Sequence, residues 1–205
     1  MSPLVAALWL LAAYLLGATP TSYVAGRLAK GIDLRQHGSK NLGATNVYRL
    51  LGWRWAIPVG LIDIAKGAIP VALFGRWAQG APGFPVFLGL AAVLGHIFSP
   101  YVGFKGGKGV ATAAGMFLAL APFAVLIALP VWAVCLWATG YVSLSSIVVA
   151  GVFPVLVLLT PHAGPPAVIA SIGLAALIVY SHRGNIRRLL AGTENRFRTR
   201  KELAP

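Results

Sequence analysis

Acidic residues are nearly absent from this chain of 205 residues, which holds only four: Asp33, Asp63, Glu194 and Glu202. So small a number excludes catalysis by a cluster of carboxylates, and it leaves few ligands for a site that binds Mg²⁺ or Ca²⁺, which needs several oxygen ligands. The single cysteine, Cys135, excludes a disulfide framework and a metal site built on thiolates. We therefore expect no metal and no cofactor.

Charged residues of both signs are also few. They make up 10% of the chain, whereas a soluble domain carries about 25%, and 58% of the residues are hydrophobic. This composition excludes a water-exposed globule and predicts a polytopic membrane protein. A net charge of +13 could suggest nucleic-acid binding, but in so apolar a chain the loop charges of a membrane protein explain it better. We expect no nucleic-acid partner.

Apolar segments predict an all-α integral membrane protein, a single domain over residues 1–205 with seven transmembrane helices. A helix needs about 20 residues to cross a hydrocarbon core of about 30 Å. The run 109–141 is too long for one crossing, and Pro122 and Pro130 interrupt it, so we expect two helices that meet near Pro122. Pro20 is expected to kink or end the first helix. The predicted spans are 4–26, 55–76, 84–102, 109–121, 123–140, 143–160 and 164–181.

Positive charge is distributed unequally between the predicted loops. With seven spans, 15 of the 17 basic residues fall on one side, in the segments 27–54 and 103–108 and in the tail from residue 182. The positive-inside rule then places the C-terminus in the cytoplasm and the N-terminus outside, with short outer loops. A single span over 109–141 would place the arginine-rich tail outside, against this rule. Because no basic residues precede the first segment, we expect a retained span and not a cleaved signal peptide.

The first concentration of polar residues is GSKNLGATNVYR, residues 38–49. Its hydroxyls, amides and cations stand among small residues, so backbone N–H groups and side-chain donors can surround a phosphate. Arg49 can offer a planar fork to two phosphate oxygens. The alternative is a juxtamembrane turn whose basic residues face anionic lipid, and the pattern alone leaves both interpretations open.

The second concentration is GHIFSPYVGFKGGKGVAT, residues 95–112. Gly106, Gly107 and Gly109 permit close backbone approach, and the loop leads into a helix N-terminus, which carries a partial positive charge. Lys105 and Lys108 add two full charges. These features favour an anion site over a simple glycine-hinged turn, although the spacing of a Walker loop is absent.

Two further sets of polar residues are less specific. The segment HRGNIRRLLAGTEN, residues 182–195, is chiefly a polybasic topology and lipid-surface signal, but His182 and Asn185 stand at i and i+3 on one helix face. Asp63 and Lys66 are also three residues apart, inside the second span. Because ionisable groups are costly at that depth, we expect this pair to lock the bundle, with an indirect role at the site.

Together these segments resemble the bacterial acyl-phosphate:glycerol-3-phosphate acyltransferase family, also called the PlsY family. The three motifs and the step Asp63-x-x-Lys66-Gly67 follow the family's order, and the resemblance covers nearly the whole chain. It implies an enzyme of the bacterial cytoplasmic (inner) membrane, with its active site on the cytoplasmic face and membrane lipid around it. The implied reaction moves a fatty acyl group from a long-chain acyl phosphate to the 1-hydroxyl of sn-glycerol 3-phosphate. Its product is lysophosphatidic acid, in the first step of phospholipid synthesis.

The resemblance also implies roles for individual residues. The second motif would hold the acyl-phosphate head, and the first motif, helped by the third, would hold glycerol 3-phosphate. The implied catalytic residues are Ser39, Arg49, Lys108, His182 and Asn185. The implied substrate-binding residues are Gly38, Asn41, Thr45, Asn46, Lys66, His96, Ser99, Lys105, Gly106, Gly107, Gly109 and Thr112.

The acceptor of the hydroxyl proton is not determined by the sequence. His182, His96 and an oxygen of a substrate phosphate are all candidates, and we expect substrate-assisted transfer. Ser39 as an acylated nucleophile lacks a recognisable base and orienting group. A transporter or channel for a phosphate-containing anion is a competing hypothesis, but only Asp63 and Lys66 would suit a site in the middle of the membrane. A lipid-binding scaffold is a third hypothesis for the function.

Overall fold

The computed structural model describes residues 1–78, 82–161 and 164–197, so Glu202 and the end of the basic tail lie outside the described residues. Within these ranges the chain is helical and contains no β-strand, which confirms the all-α expectation. The chain also contains a π-helical turn, Pro70–Phe74, and a 3₁₀ turn, Pro100–Val102. The α-helices are α1 Pro3–Ala18, α2 Thr21–Lys30, α3 Ala44–Leu51, α4 Trp53–Ile69, α5 Gly75–Ala78, α6 Phe84–Ile97, α7 Val110–Leu120, α8 Pro122–Thr139, α9 Val142–Leu158, α10 Gly164–Ser181 and α11 Arg183–Leu190.

Apolar helices dominate the described part of the chain. Five helical segments there are long and apolar enough to cross a membrane, and α7 and α9 are apolar but shorter. At 1.5 Å per residue α7 extends only about 17 Å, roughly half of a hydrocarbon core. The count of seven spans therefore stays a prediction. The five longer segments are Pro3–Lys30, Trp53–Ala78, Phe84–Val102, Pro122–Thr139 and Gly164–Ser181.

Proline acts differently at two places in the long apolar run. α7 ends at Leu120 and α8 begins at Pro122, so the expected meeting of two helices near Pro122 is confirmed. Pro130, expected as a second interruption, instead lies inside α8. A proline inside an apolar helix is tolerated where neighbouring groups satisfy the freed carbonyl.

The first predicted span is interrupted about two thirds of the way along, between Ala18 and Thr21. α1 ends at Ala18, because Pro20 has no N–H to donate and its ring would clash with the carbonyl of Leu16 in a continuing helix. The Thr19 N–H binds the Leu16 carbonyl at 3.2 Å instead. The chain resumes as α2, so the predicted span 4–26 corresponds to α1 and half of a second helix.

Two compact units make up the chain. The first is Met1–Pro122 and contains α1 to α7; the second begins at Phe123 and contains the rest of α8 and α9 to α11. In the first unit α1 packs along α6, α4 packs along α7, and α3 packs on α4. In the second unit α9 packs along α10, and α11 contacts both.

Glycine lets the helices of the first unit meet backbone to backbone. A Cβ atom on Gly17 of α1 would overlap the backbone of Ala92 in α6, and one on Gly67 of α4 would overlap the carbonyl of Thr112 in α7. Small residues at such crossings are typical of membrane helices, which gain their association from close van der Waals packing. These contacts set the positions of the loops that follow α6 and precede α7.

A small hydrophobic cluster fixes the segment between α2 and α3. Leu34 and Leu42 of that segment are buried against Val47 of α3, Val59 of α4 and Val102 of the 3₁₀ turn. Burying a leucine side chain is worth about 1.5–3 kcal/mol. The polar residues around Leu34 and Leu42 are thus carried on an anchored loop.

Candidate active site

Two loops of the first unit carry the first two motifs. Residues 31–43, called here the first loop, join α2 to α3, and residues 103–109, called the glycine loop, join the 3₁₀ turn to α7. Arg35 of the first loop donates through Nη1 to the Val102 carbonyl at 2.7 Å. The Leu42 carbonyl lies so close to Gly107 that a Cβ there would overlap it. The structure therefore brings the two motifs together.

Asn46 shapes the first loop from the inside. Its side chain is 1% exposed, and its Oδ1 accepts a hydrogen bond from the Ser39 N–H at 2.9 Å. Its Nδ2 lies within 3.2 Å of three carbonyl oxygens, those of Leu34, His37 and Asn41. The structure thus gives the Asn46 amide a loop-shaping role, and its contact with substrate stays a prediction.

The backbone of each loop enters the left-handed region at a residue that is not glycine. Lys40 has φ 57° and Phe104 has φ 61°, and they are the two non-glycine residues with positive φ within the described ranges. This conformation costs an L-residue about 1–2 kcal/mol. Strain of this kind collects at functional sites, where the surrounding structure holds it in place. Both strained positions fall inside predicted motifs.

A salt bridge closes the first loop. Arg35 Nη2 lies 2.7 Å from Asp33 Oδ2, and Arg35 Nε lies 3.0 and 3.1 Å from the two carboxylate oxygens. The hydrogen bond from Arg35 holds the pKa of Asp33 below its usual range, although burial acts in the opposite direction. The same bond raises the pKa of Arg35. Sequence reasoning missed this pair, for which two opposite charges at i and i+2 were the available signal.

A small, partly open cleft lies where the glycine loop meets α6 and the corner between α1 and α2. The N–H groups of Gly106 and Gly107 donate to the carbonyls of Ile97 and His96 at 3.0 and 3.1 Å. The glycine loop is therefore fastened to the end of α6. Five predicted substrate-binding residues line this cleft, namely Lys66, His96, Ser99, Gly106 and Gly107.

The other predicted residues of the first unit differ in exposure. Gly38 and Lys105 are exposed, whereas Gly109 and Thr112 are buried. The Thr112 hydroxyl meets no hydrogen-bond partner among the described residues, and neither does that of Ser22, which lines the cleft. The half-buried members are Ser39, Asn41, Thr45, Arg49 and Lys108.

The expected pair of Asp63 and Lys66 is present and almost completely buried. Lys66 Nζ lies 2.8 Å from Asp63 Oδ1, and the side chains are 3% and 1% exposed. The Thr21 hydroxyl donates to the same Oδ1 at 2.6 Å. Lys66 Nζ also donates at 2.9 Å to the carbonyl of Thr19, where the end of α1 leaves acceptors without a helical partner. The pair thus ties α4 to the corner between α1 and α2.

His182 and Asn185 lie in the second unit, where α10 gives way to α11. His182 is 3% exposed, and its Nδ1 lies 2.8 Å from the Ile178 carbonyl oxygen. Because a carbonyl only accepts, this contact assigns the proton of the neutral ring to Nδ1 and leaves Nε2 as the acceptor nitrogen. The Asn185 Nδ2 donates to Glu194 Oε1 at 2.6 Å.

Glu194 is a buried carboxylate that sequence reasoning did not assign to the site. It also accepts hydrogen bonds from the Ser143 hydroxyl at 2.8 Å and from Arg188 Nε at 2.7 Å. Burial raises the pKa of Glu194, but the bonds from Asn185, Ser143 and Arg188 together outweigh it and hold this pKa below its usual range. Its place as the single acidic residue of the third motif was the available signal.

Each carboxylate that the structure describes is paired with a cation. Asp33, Asp63 and Glu194 each lie 2.7 or 2.8 Å from a lysine or arginine nitrogen. Within the described ranges, no three His, Cys, Asp or Glu side chains form a group that could hold a metal ion. The charge that the loops present to solvent is therefore mainly positive.

The chain has apolar helices long enough to cross a bilayer and two adjoining loops that are basic and rich in glycine. These features define a class, that of multi-pass membrane proteins with loops suited to an anionic substrate. Comparison with known proteins narrows this class. A family model described as "Glycerol-3-phosphate acyltransferase" matches residues 7–192, and the chain belongs to this family of acyltransferases.

Individual relatives agree with the family model. The chain is 46% identical to the glycerol-3-phosphate acyltransferase of Trichlorobacter lovleyi, over 93% of this chain and 96% of that protein. It is also 46% identical to the glycerol-3-phosphate acyltransferase of Syntrophotalea carbinolica, over 92% of this chain and 96% of that protein.

Solved structures support the same family. The fold is similar to the crystal structure of PlsY (YgiH), an integral membrane glycerol 3-phosphate acyltransferase, in its glycerol 3-phosphate form. The TM-score is 0.90 at 40% identity, over 98% of this chain and 99% of that one. The lysophosphatidic acid form gives a TM-score of 0.86 at 39% identity, over 95% and 96% of the two chains. The resemblance seen in the motifs is thereby confirmed.

Proposed function

We propose that this protein transfers a fatty acyl group from an acyl phosphate to the 1-hydroxyl of sn-glycerol 3-phosphate. The observation that supports the proposal is the contact between the first loop and the glycine loop, which belong to the two motifs predicted to bind phosphate. Solved relatives in a glycerol 3-phosphate form and a lysophosphatidic acid form support this acceptor and this product. The second product is inorganic phosphate.

Each loop suits one of the two phosphates. The glycine loop, with Lys105 and Lys108, would hold the acyl-phosphate head, because its glycines allow close backbone approach and it leads into the N-terminus of α7. The first loop would hold glycerol 3-phosphate, with Arg49 as a two-pronged donor to the phosphate. The roles of His182 and Asn185 with this substrate stay a prediction from the sequence. The first motif, residues 38–49, would contribute Gly38, Ser39, Asn41, Thr45 and Asn46.

The proposed chemistry is a single displacement at the acyl carbon. The 1-hydroxyl oxygen forms a bond to the acyl carbon, the bond from that carbon to the phosphate oxygen breaks, and phosphate leaves with both bonding electrons. The hydroxyl proton passes to an oxygen of a substrate phosphate. The pairing of Asp33, Asp63 and Glu194 with cations supports this route, since none of these carboxylates is uncommitted. The enzyme then supplies orientation and charge neutralisation.

The charge distribution supports a location and an orientation. We propose seven spans in the cytoplasmic membrane of a bacterium, with the N-terminus outside and the C-terminus and active site inside. The glycine loop, the first loop and the basic tail would all face the cytoplasm, where anionic water-soluble substrates are available.

A transfer assay with purified protein in detergent tests the proposal. Labelled glycerol 3-phosphate is offered with palmitoyl phosphate, palmitoyl-CoA or palmitoyl carrier protein in separate reactions. We expect labelled lysophosphatidic acid from palmitoyl phosphate alone. Product from either of the other donors would contradict the proposed donor, and no product from any donor, with the protein shown to be folded, would contradict the transferase itself.

A further inference from the structure

One turn of α4, residues 63–67, contacts the elements at both ends of the glycine loop. The loop begins after α6 and the 3₁₀ turn, and it ends where α7 starts at Val110. Asp63 lies against His96 of α6, the helix that precedes the loop, and Lys66 pairs with Asp63. Gly67 faces α7, which follows the loop. This turn of α4 therefore contacts the helices that hold both ends of the glycine loop.

At the exit of the loop, the contact is between backbones. Gly67 packs on the Thr112 carbonyl with no room for a Cβ, and Thr112 is the third residue of α7. The first turn of α7 therefore cannot move toward α4. Because the glycine loop leads directly into this turn, Gly67 sets the point at which the loop ends.

At the entrance, the contact runs through buried polar groups. The Asp63–Lys66 pair holds Thr19 and Thr21 at the corner between α1 and α2. The Ser99 hydroxyl donates to the Ala18 carbonyl at 2.6 Å, which fastens the residues after α6 to the same corner.

His96 completes this connection. Its Nδ1 lies 3.8 Å from Asp63 Oδ1, too far for a hydrogen bond but within packing contact. Its Nε2 lies against Gly107 so closely that a Cβ there would overlap it, and its carbonyl accepts the Gly107 N–H. The ring therefore fills the space between the buried pair and the glycine loop.

We propose that Asp63, Lys66 and Gly67 are positioning residues that hold the glycine loop in its binding geometry, with Thr21 fixing Asp63. Two donors of the Lys66 ammonium are used by Asp63 and Thr19, and the charge of Lys66 is balanced by Asp63. We therefore assign Lys66 a positioning role, in which it acts through the glycine loop. That the loop serves acyl phosphate rests on the function proposed above.

Thr21 offers a mild test, because its hydroxyl can be removed without breaking the ion pair. Thr21→Val deletes the bond to Asp63 at nearly constant volume, and Thr21→Ser retains it. Ser171→Ala is the matched control, since among the described residues that buried hydroxyl binds only the Val168 carbonyl of its own helix. The purified proteins are compared by hydrogen exchange of the Gly106 and Gly107 amides and by steady-state kinetics with palmitoyl phosphate.

We expect Thr21→Val to speed exchange at these two amides roughly tenfold, the size expected from losing one hydrogen bond to a charged group. KM for palmitoyl phosphate should rise by a similar factor while kcat changes by less than about threefold, since binding geometry and not chemistry is disturbed. Thr21→Ser and Ser171→Ala should match the unmodified protein. Unchanged exchange at both glycines would overturn the proposal, and so would an equal increase throughout the first unit. Exchange requires no turnover, so failure of the transferase assay remains distinguishable.

Discussion

Arg49 stands three residues after Asn46 on α3, and the two side chains have different predicted roles. Asn46 is committed to the backbone of the first loop, whereas Arg49 is the expected clamp for phosphate. The choice of arginine at this position is informative, because its planar fork matches two phosphate oxygens and the point charge of lysine does not.

Arg49→Lys should therefore lower kcat/KM for glycerol 3-phosphate by roughly tenfold or more, about the value of one charge-assisted hydrogen bond. Steady-state kinetics at varied glycerol 3-phosphate measures the effect. Arg54→Lys is the control, because Arg54 is exposed and stacks on Trp53 at 5.6 Å. Equal values of kcat/KM for the two variants would show that Arg49 does not bind the phosphate as proposed.

Glu194 gives a prediction about pH. Its pKa lies below the usual range in the folded protein, so the unfolded chain binds the proton more tightly. The stabilisation is present above the pKa of the unfolded chain, about 4.3, and is lost as pH falls through the lower folded value. The melting temperatures of the unmodified protein and of Glu194→Gln should therefore differ at pH 6 and converge towards pH 3. A difference that stays constant over this range would contradict the account.

Residue patterns predicted local pairs better than distant ones. Asp63 and Lys66 could be paired from sequence, because residues at i and i+3 share a helix face. The bonds from Thr21 to Asp63 and from Ser143 to Glu194 join residues 42 and 51 positions apart, and nothing local indicates them. They depend on how helices pack, which composition and spacing do not specify.

At the scale of elements, glycine determines how closely helices approach. Gly60 and Gly67 both lie in α4, yet they meet different surroundings. A Cβ on Gly60 would lie 3.6 Å from the Cβ of Ala44, an ordinary contact, whereas one on Gly67 would overlap the Thr112 carbonyl. The sequence shows the same residue type at both positions, and only the packing of α4 on α7 separates them.

Gly67→Ala should accordingly destabilise the protein by roughly 1–3 kcal/mol, because added volume in a close-packed contact forces the helices apart. Thermal unfolding in detergent should show a melting temperature several degrees lower. Gly60→Ala should leave it unchanged or raise it slightly, since alanine favours a helix more than glycine does. A lower melting temperature for Gly60→Ala than for Gly67→Ala would contradict the close contact between α4 and α7.

The ends of elements were partly predictable. The break near Pro122 followed from the length of the apolar run together with the proline, whereas Pro130 in the same run lies inside α8. A proline leaves one helix carbonyl without its hydrogen bond, and its ring crowds the preceding turn. The helix ends there only where these two groups are accommodated better outside a helix than inside it. Which of the two prolines ends a helix depends on the neighbouring groups. The sequence could therefore indicate both prolines as possible breaks but could not show which one is the break.

At the scale of the whole molecule, the asymmetry of charge is the main topological signal. Fifteen of 17 basic residues fall in three predicted inside segments, and this count supported the prediction of seven spans. The sidedness that this asymmetry predicts can be measured directly.

Cysteine labelling tests the predicted sidedness. In a Cys135→Ala background, Pro161→Cys places a thiol in a predicted outer loop and Thr193→Cys places one in the basic tail, and both positions are exposed. A membrane-impermeant maleimide should label Pro161→Cys in intact spheroplasts and Thr193→Cys only after permeabilisation. The opposite pattern would invert the topology and place the proposed active site outside.

The central claim is a direct transfer between two phosphate-bearing substrates held by adjoining loops. Rapid quenching of micromolar enzyme with excess palmitoyl phosphate tests it most directly, by comparing phosphate release with and without glycerol 3-phosphate. We predict inorganic phosphate and lysophosphatidic acid in a one-to-one ratio when the acceptor is present, and no early burst of phosphate without it. A burst close to one phosphate per enzyme, with the acyl group on Ser39, would contradict direct transfer.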